Sequence, residues 1–496
     1  MAGKTETNYT RKAVRGTAVI FIGLFVAAFI SYLVRMFLAR VLTQTEFGLF
    51  YAVFNFVIFF TFFRAFGLNS AVAKFIPEYL VKKKYDDIKT LLVVSVIVQL
   101  ILSVGFILVI VFLADFLSVY YFKEPYAAHV VSVFSIIFIV MIFDDLLKKA
   151  FQGFQNMKLF SIMEAGRNIV VLILILIFFK LGRGVMGPVW AYLLASIVMF
   201  AAFFPSFLKL FSFFKYKVKI TREFIINLFN YSIPIIIFGF GYEIISTVDI
   251  LILTYFRDLI EVGIYSTVLP TGMLVLFLGR AVGLMLFPMS SELWARKEYK
   301  KLSEGFSRLT KYVLIIIVPI ILGLIAFSKL FLTVFFGKVY SPGAVALQIL
   351  LIGTLFYAFA LLNNNLLSGI GNPRIVAKII LSSALVNFIA NMILIPPFGM
   401  QGAALGTTIS YIFGLIYSKY YVRKIVKVEF PWKDMGKILL SGILFLLVVT
   451  VLKSVLNINI LLEVVLVVGI ASAVYLGLIF GLKLLSLAEI KRIIKA

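Results

Sequence analysis

Apolar residues along this chain neither alternate nor form narrow stripes; they come in long blocks. Fourteen such runs lie roughly at 14–41, 47–68, 90–114, 127–149, 159–180, 186–207, 223–256, 262–290, 309–328, 344–370, 375–396, 401–422, 436–453 and 459–482. A helix needs about 20 apolar residues to cross the hydrocarbon core of a bilayer, so each block predicts a spanning helix. The stretches between them hold fewer than about 25 residues, and no soluble domain fits there. The first run is too long for a signal-peptide core, and no small-residue cleavage site follows it. It is expected to stay as an anchor. The pattern therefore predicts an all-α membrane protein with about 14 transmembrane helices.

Composition agrees. Of 496 residues 63% are hydrophobic, with a mean hydropathy of +1.11; soluble domains are roughly half apolar. The absence of Cys excludes disulfides and thiolate metal sites. The single histidine, His129, reads as an incidental residue at an outer helix end.

The net charge of +25 would suit nucleic acid, but its distribution argues against that partner. With the inter-helix segments assigned alternately to two sides, 36 Lys and Arg fall on one side and eight on the other. Three more, Arg35, Arg64 and Arg280, lie inside helices. Such a bias follows the positive-inside rule and places both termini in the cytoplasm of a cell-membrane protein. The basic stretches at 82–84 and 215–219 then act as topology signals, with anionic lipid headgroups as neighbours.

The chain also matches itself at an offset of 214 to 216 residues. EFGLF at 46–50 meets EVGIY at 261–265, and Arg64, Ala65, Gly67 and Leu68 meet Arg280, Ala281, Gly283 and Leu284. KKYDD at 83–87 meets KEYKK at 297–301, QGFQN at 152–156 meets SGIGN at 368–372, and Gly187 meets Gly402. Each repeat holds six helices. An even number preserves orientation, so the halves are expected to relate by an axis along the membrane normal. The expected organisation is an N-terminal lobe at 1–215, a C-terminal lobe at 216–428, and two further helices with a tail at 429–496. A two-lobed transporter with a cavity between its lobes follows, complete in one chain and hence expected as a monomer.

Charge at membrane depth is expensive, which makes such residues candidates for function. Arg35 lies in the first run, Arg64 in the second and Arg280 in the eighth; snorkelling to an interface is the alternative. Gathered around a cavity, three guanidiniums would attract anions, and Arg grips phosphate oxygens in a bidentate fork. The seventh run carries Glu243 and Asp249. Helical spacing puts Tyr242, Ser246 and Asp249 on one face, behind Pro234, Gly239 and Gly241. Two roles compete for these acids: binding a coupling H⁺ or Na⁺, or neutralising cavity arginines. Asn363, Asn364 and Asn365 either line the cavity or bond across helices. Asp144 and Asp145 precede Lys148 and Lys149 by four residues, and Glu164 precedes Arg167 by three, so local pairing on helix surfaces is expected.

No G-x-x-x-x-G-K-[ST] phosphate loop occurs, so the chain carries no Walker ATPase of its own. The outer segments are too short for the acidic catalytic loops of membrane glycosyltransferases, so an enzyme is not expected.

The opening RKAVRGTAVIFIGLFVAAFISYLVRMFLARVLTQTEFGLFYAVFNFVIFFTFFRAFGLNSAVAKFIPEY resembles that of polysaccharide-biosynthesis flippases of the multidrug/oligosaccharidyl-lipid/polysaccharide superfamily. SGIGNPR at 368–374 and FGMQGAALGTTIS at 398–410 are similar to that family too. The resemblance covers nearly the whole chain. It implies two six-helix lobes, alternating access, and a polyprenyl- or dolichyl-linked oligosaccharide carried across the membrane, with glycan-assembly enzymes as neighbours and no cofactor. It also implies phosphate-binding roles for Arg35, Arg64 and Arg280, which match the cavity arginines of related lipid II flippases by helix. Cation-coupled drug exporters of the same superfamily rely more on acids in the first or seventh helix. Arg35 in the first helix disfavours that alternative; Glu243 and Asp249 keep it open.

Overall fold

The computed structural model describes residues 2–428, 430–455, 459–486 and 489, and all regular structure among them is helical. Among the described residues, twelve helices are long and apolar enough to cross a membrane. The count is thirteen if the pair Leu259–Leu274 and Gly279–Ala295, bent by 44°, forms one span. The chain is a multi-pass membrane protein.

Two compact units divide at Ser266 and Thr267. The first contains α1 (Ala2–Val41), α2 (Gln44–Ala65), α3 (Leu68–Val81), α4 (Tyr85–Phe112), the short α5 (Ala114–Phe116), α6 (Ala127–Ser135), α7 (Ile137–Gly153), α8 (Met157–Lys180), α9 (Met186–Leu210) and α10 (Arg222–Phe256). The divide falls within α11 (Leu259–Leu274). The second contains α12 (Leu276–Ala295), α13 (Tyr299–Ala326), α14 (Ser328–Phe335), α15 (Ala344–Gly369), α16 (Pro373–Ile425), α17 (Trp432–Val455) and α18 (Ile460–Gly481). The first compact unit thus extends past the expected lobe boundary at 215. The reason is local packing of α10: Phe240 lies 5.5 Å from Phe63, and Gly239 faces the Phe62 ring.

Local sequence explains where α2 begins and ends. Thr43 and Glu46 form a capping box, each side chain bonded to the other's backbone N–H. At the far end Phe66 and Gly67 both take left-handed dihedrals, with φ of 46° and 69°. The backbone of Gly67 abuts that of Ser232, so a side chain there would meet both a disfavoured dihedral and a steric wall. Beyond the break the chain resumes as α3, which the apolar runs did not mark because Lys74, Pro77 and Glu78 interrupt its hydrophobicity.

Two expected runs, 375–396 and 401–422, appear as one 53-residue helix, α16, interrupted at Gly399 by non-helical dihedrals (φ 54°, ψ −131°) just after Pro396 and Pro397. A straight helix of that length would reach about 80 Å, far beyond the roughly 30 Å hydrocarbon core.

Lipid tails are as apolar as Leu, so helices in a bilayer associate mainly through close packing of small residues. The glycines matched by the internal offset illustrate this. Gly153 fits against Val72 and Ile76, and Gly369 against Phe287 and Ser290. Gly187 fits against Phe178, and Gly402 against Leu394. Gly48 and Gly263 meet each other backbone to backbone. Larger side chains fill in around them. Ile76, Leu91, Leu147 and Phe151 centre the first unit's core, while Val318, Phe445, Val467 and Tyr475 pack α17 and α18 onto α13 in the second.

Candidate substrate site and buried charge network

Arg64 sits in the last turn of α2 with no exposed surface. Its Nη1 donates to Gln99 Oε1 at 3.0 Å and its Nη2 to Asp145 Oδ2 at 3.0 Å. Gln99 in turn donates to Asn69 Oδ1 at 3.3 Å. The network continues through α7 and α8. Lys148 lies 3.7 Å from Asp145 and 2.9 Å from Glu164, and Arg167 lies 3.7 Å from Asp144. Three cations and three carboxylates thus balance within the first unit. This corrects the expected local pairing: Asp144 and Asp145 do not bridge to Lys148 and Lys149 four residues on. Their nearest cations are on other helices or, for Lys148, three residues away, and Lys149 donates to Gln152 instead. Away from water an ion pair is worth far more than on a solvated helix face, so the chain brings opposite charges together across helices.

Arg35 lies apart from this network. Its guanidinium stacks over the Tyr51 ring at 4.0 Å and its Nη1 donates to the carbonyl of Ser266. The adjacent Tyr265 donates from its hydroxyl to Asp249 Oδ2 at 2.9 Å, both residues being fully buried. Arg35 and Asp249 are therefore held by neighbouring residues of α11. Arg280, in the second unit, is exposed. Its guanidinium lies 5.7 Å from the Phe277 ring, and among the described residues it meets no carboxylate.

The remaining candidates of α10 divide by environment. Tyr242 is 47% exposed, and its carbonyl accepts from Ser246 Oγ at 2.8 Å. Glu243 is half-buried and forms no ion pair among the described residues; the carboxylate that meets Arg64 is Asp145. The helix runs unbroken through Pro234, Gly239 and Gly241. In the second unit Asn363 donates to Ser418 Oγ at 2.9 Å, bonding α15 to α16. Asn364 is buried, and Asn365 donates to Leu361 O at 2.8 Å with its amide against Gly283.

Sequence reasoning passed over Gln99 and the long-range role of Asp145. The signal for Gln99 was its isolation as an amide in the run 90–114. It also passed over Asn387 and Asn391 of α16, both fully buried, where Asn387 donates to Thr407 Oγ1 at 3.2 Å. On the basic-loop side, the 215–219 stretch is pinned to α4: Lys219 Nζ lies 2.7 Å from Asp86, and Lys89 donates to Tyr216 O at 2.7 Å. The hydrogen bond that the Lys219 ammonium donates to Asp86 holds it above its usual pKa.

A multi-pass helical bundle carrying arginines at membrane depth has the architecture of a membrane transporter. The sequence model of the polysaccharide biosynthesis protein family matches residues 13–294, and that of the MatE family matches residues 234–393. The chain belongs to the polysaccharide biosynthesis protein family of the multidrug/oligosaccharidyl-lipid/polysaccharide superfamily. Among curated proteins it is 33% identical to the membrane protein MJ1068 of Methanocaldococcus jannaschii, over 98% of this chain and 99% of that one. It is 23% identical to the probable low-salt glycan biosynthesis flippase Agl15 of Haloferax volcanii, over 52% of each. Among solved structures, lipid II flippase MurJ in an inward closed conformation superposes with a TM-score of 0.76 at 18% identity, covering 94% of this chain and 98% of the other.

Proposed function

We propose that this protein translocates a lipid-linked oligosaccharide, carried on a polyprenyl or dolichyl phosphate or diphosphate, from the cytoplasmic to the outer leaflet. The observation that carries the reading is Arg280: a cation inside an apolar helix, exposed, and without a carboxylate among the described residues. A phosphate is the ligand its bidentate fork fits best. Arg35 contributes a second, half-exposed cation. Arg64 is bound to Asp145, and exchange of Asp145 for the substrate's phosphate is the step proposed for it. Transport by alternating access needs contacts that differ between inward and outward states, and such an exchange supplies one. No catalytic step is required.

The matched glycine contacts support two six-helix repeats followed by α17 and α18. Reading α16 as two spans broken at Gly399 brings the total to fourteen and puts both termini on the basic, cytoplasmic side of the cell membrane. The MatE match over 234–393 includes Glu243 and Asp249 and favours, as second reading, a cation-coupled exporter; in a flippase the same acids would take a coupling H⁺ or Na⁺.

Binding separates the readings. The purified protein should bind a polyprenyl-diphosphate oligosaccharide, and Arg280→Gln should weaken binding by about tenfold or more, the loss of one charge-assisted contact, while its melting temperature stays unchanged. Tight binding of a lipophilic cation, indifferent to Arg280 and lost in Glu243→Gln, would move the assignment to an exporter.

A further inference from the structure

The last turns of α16 carry a second cationic feature, to which the proposed transport assigns no role. Ile416, Lys419, Tyr420, Arg423 and Lys424 line one cavity of about 560 Å³. Lys419 Nζ is held 3.9 Å from the Trp432 ring and 5.2 Å from Phe430, and Lys424 Nζ lies 5.9 Å from the Tyr420 ring. Among the described residues none of the three cations meets a carboxylate. The C-terminus of α16 explains only part of this charge. A helix end presents about half an elementary negative charge, so three full cations exceed it about sixfold. Arg423 and Lys424 are exposed, so the cavity presents unbalanced positive charge to an incoming anion.

Its surroundings indicate what brings that anion. Tyr420 and Trp432 are 55% and 59% exposed, as amphipathic aromatics are at headgroup depth. Ile409 and Ile416, 43% and 63% exposed, continue the Tyr420 face of α16 towards the membrane interior. A phosphate above and an apolar stripe below fit one molecule. We propose that this cavity binds an anionic membrane lipid of the adjoining leaflet, its headgroup phosphate among Lys419, Arg423 and Lys424 and its chains along Ile416 and Ile409. Basic pockets between helices take phospholipid heads in this manner, and stacking on Trp432 fixes Lys419 in place beforehand.

The test is native mass spectrometry of the full-length protein in detergent, titrated with phosphatidylglycerol and with phosphatidylcholine. Replacing three basic residues should weaken phosphatidylglycerol retention by about a hundredfold, so Lys419→Gln/Arg423→Gln/Lys424→Gln should lose it while phosphatidylcholine retention is unaltered. Lys419→Arg/Lys424→Arg should retain the lipid, which separates lost charge from disturbed folding. Equal phosphatidylglycerol affinity in wild type and the Gln variant would overturn the proposal. So would displacement of the lipid by micromolar inorganic phosphate or pyrophosphate, which would make the site one for a soluble anion.

Discussion

Arg64 shows how one residue answers to two demands. Membrane depth makes its charge costly, and Asp145 with Gln99 meets that cost within the protein. Removing one partner of a buried pair leaves the other uncompensated, typically at about 3–5 kcal/mol. Arg64→Ala and Asp145→Asn should each lower the melting temperature in detergent, and the double variant should lose less than the sum of the two. Additive losses would mean that the 3.0 Å contact carries no coupling energy. Arg280 should behave oppositely, since among the described residues no carboxylate is left uncompensated by its loss. Glu243, half-buried and outside any ion pair, belongs to a third category. Glu243→Gln should abolish H⁺ or Na⁺ dependence of transport, measured as the response to an imposed gradient; an unchanged response assigns Glu243 to packing alone. The presence of Arg35, Arg64, Glu243 and Asp249 at membrane depth could be read from the sequence. Their partners could not. Arg64 and Asp145 are 81 residues apart, and in sequence Asp145 has two nearer lysines that a helix-surface rule prefers.

For the elements, apolar length fixed most of the spanning helices and their order, because the bilayer filters for about 20 apolar residues whatever the packing. It failed where a helix is amphipathic or interrupted. α3 stayed hidden behind Lys74, Pro77 and Glu78, and the break at Phe66 and Gly67 left no more trace than one glycine. Packing glycines were legible only through the repeat. Their contacts make a sharp prediction: Gly48→Ala, whose Cβ would run into the carbonyl of Leu259, should cost about 1–3 kcal/mol. Gly105→Ala, with nothing within 4 Å of its Cβ, should cost nothing. Thermal unfolding of the two purified variants checks this; equal stability would show that α2 and α11 can separate freely at that point.

On the scale of the whole molecule, charge asymmetry predicts the topology and the family points to the proposed task. The chain has no cysteine, so single introduced thiols report their side without background. Lys83→Cys and Lys297→Cys should be labelled by a membrane-impermeant maleimide only from the cytoplasmic side, and Asp258→Cys only from outside. Labelling of Lys83 and Lys297 from opposite sides would break the parallel relation of the repeats. The account rests most heavily on movement of a phosphate-bearing glycolipid. The direct measurement is the rate at which a fluorescent polyprenyl-diphosphate oligosaccharide in proteoliposomes becomes accessible to a quencher added outside. Wild type should raise that rate well above protein-free vesicles, and Arg280→Gln should return it towards the background without loss of folded protein. A wild-type rate equal to the background, or full activity in Arg280→Gln, would contradict the account.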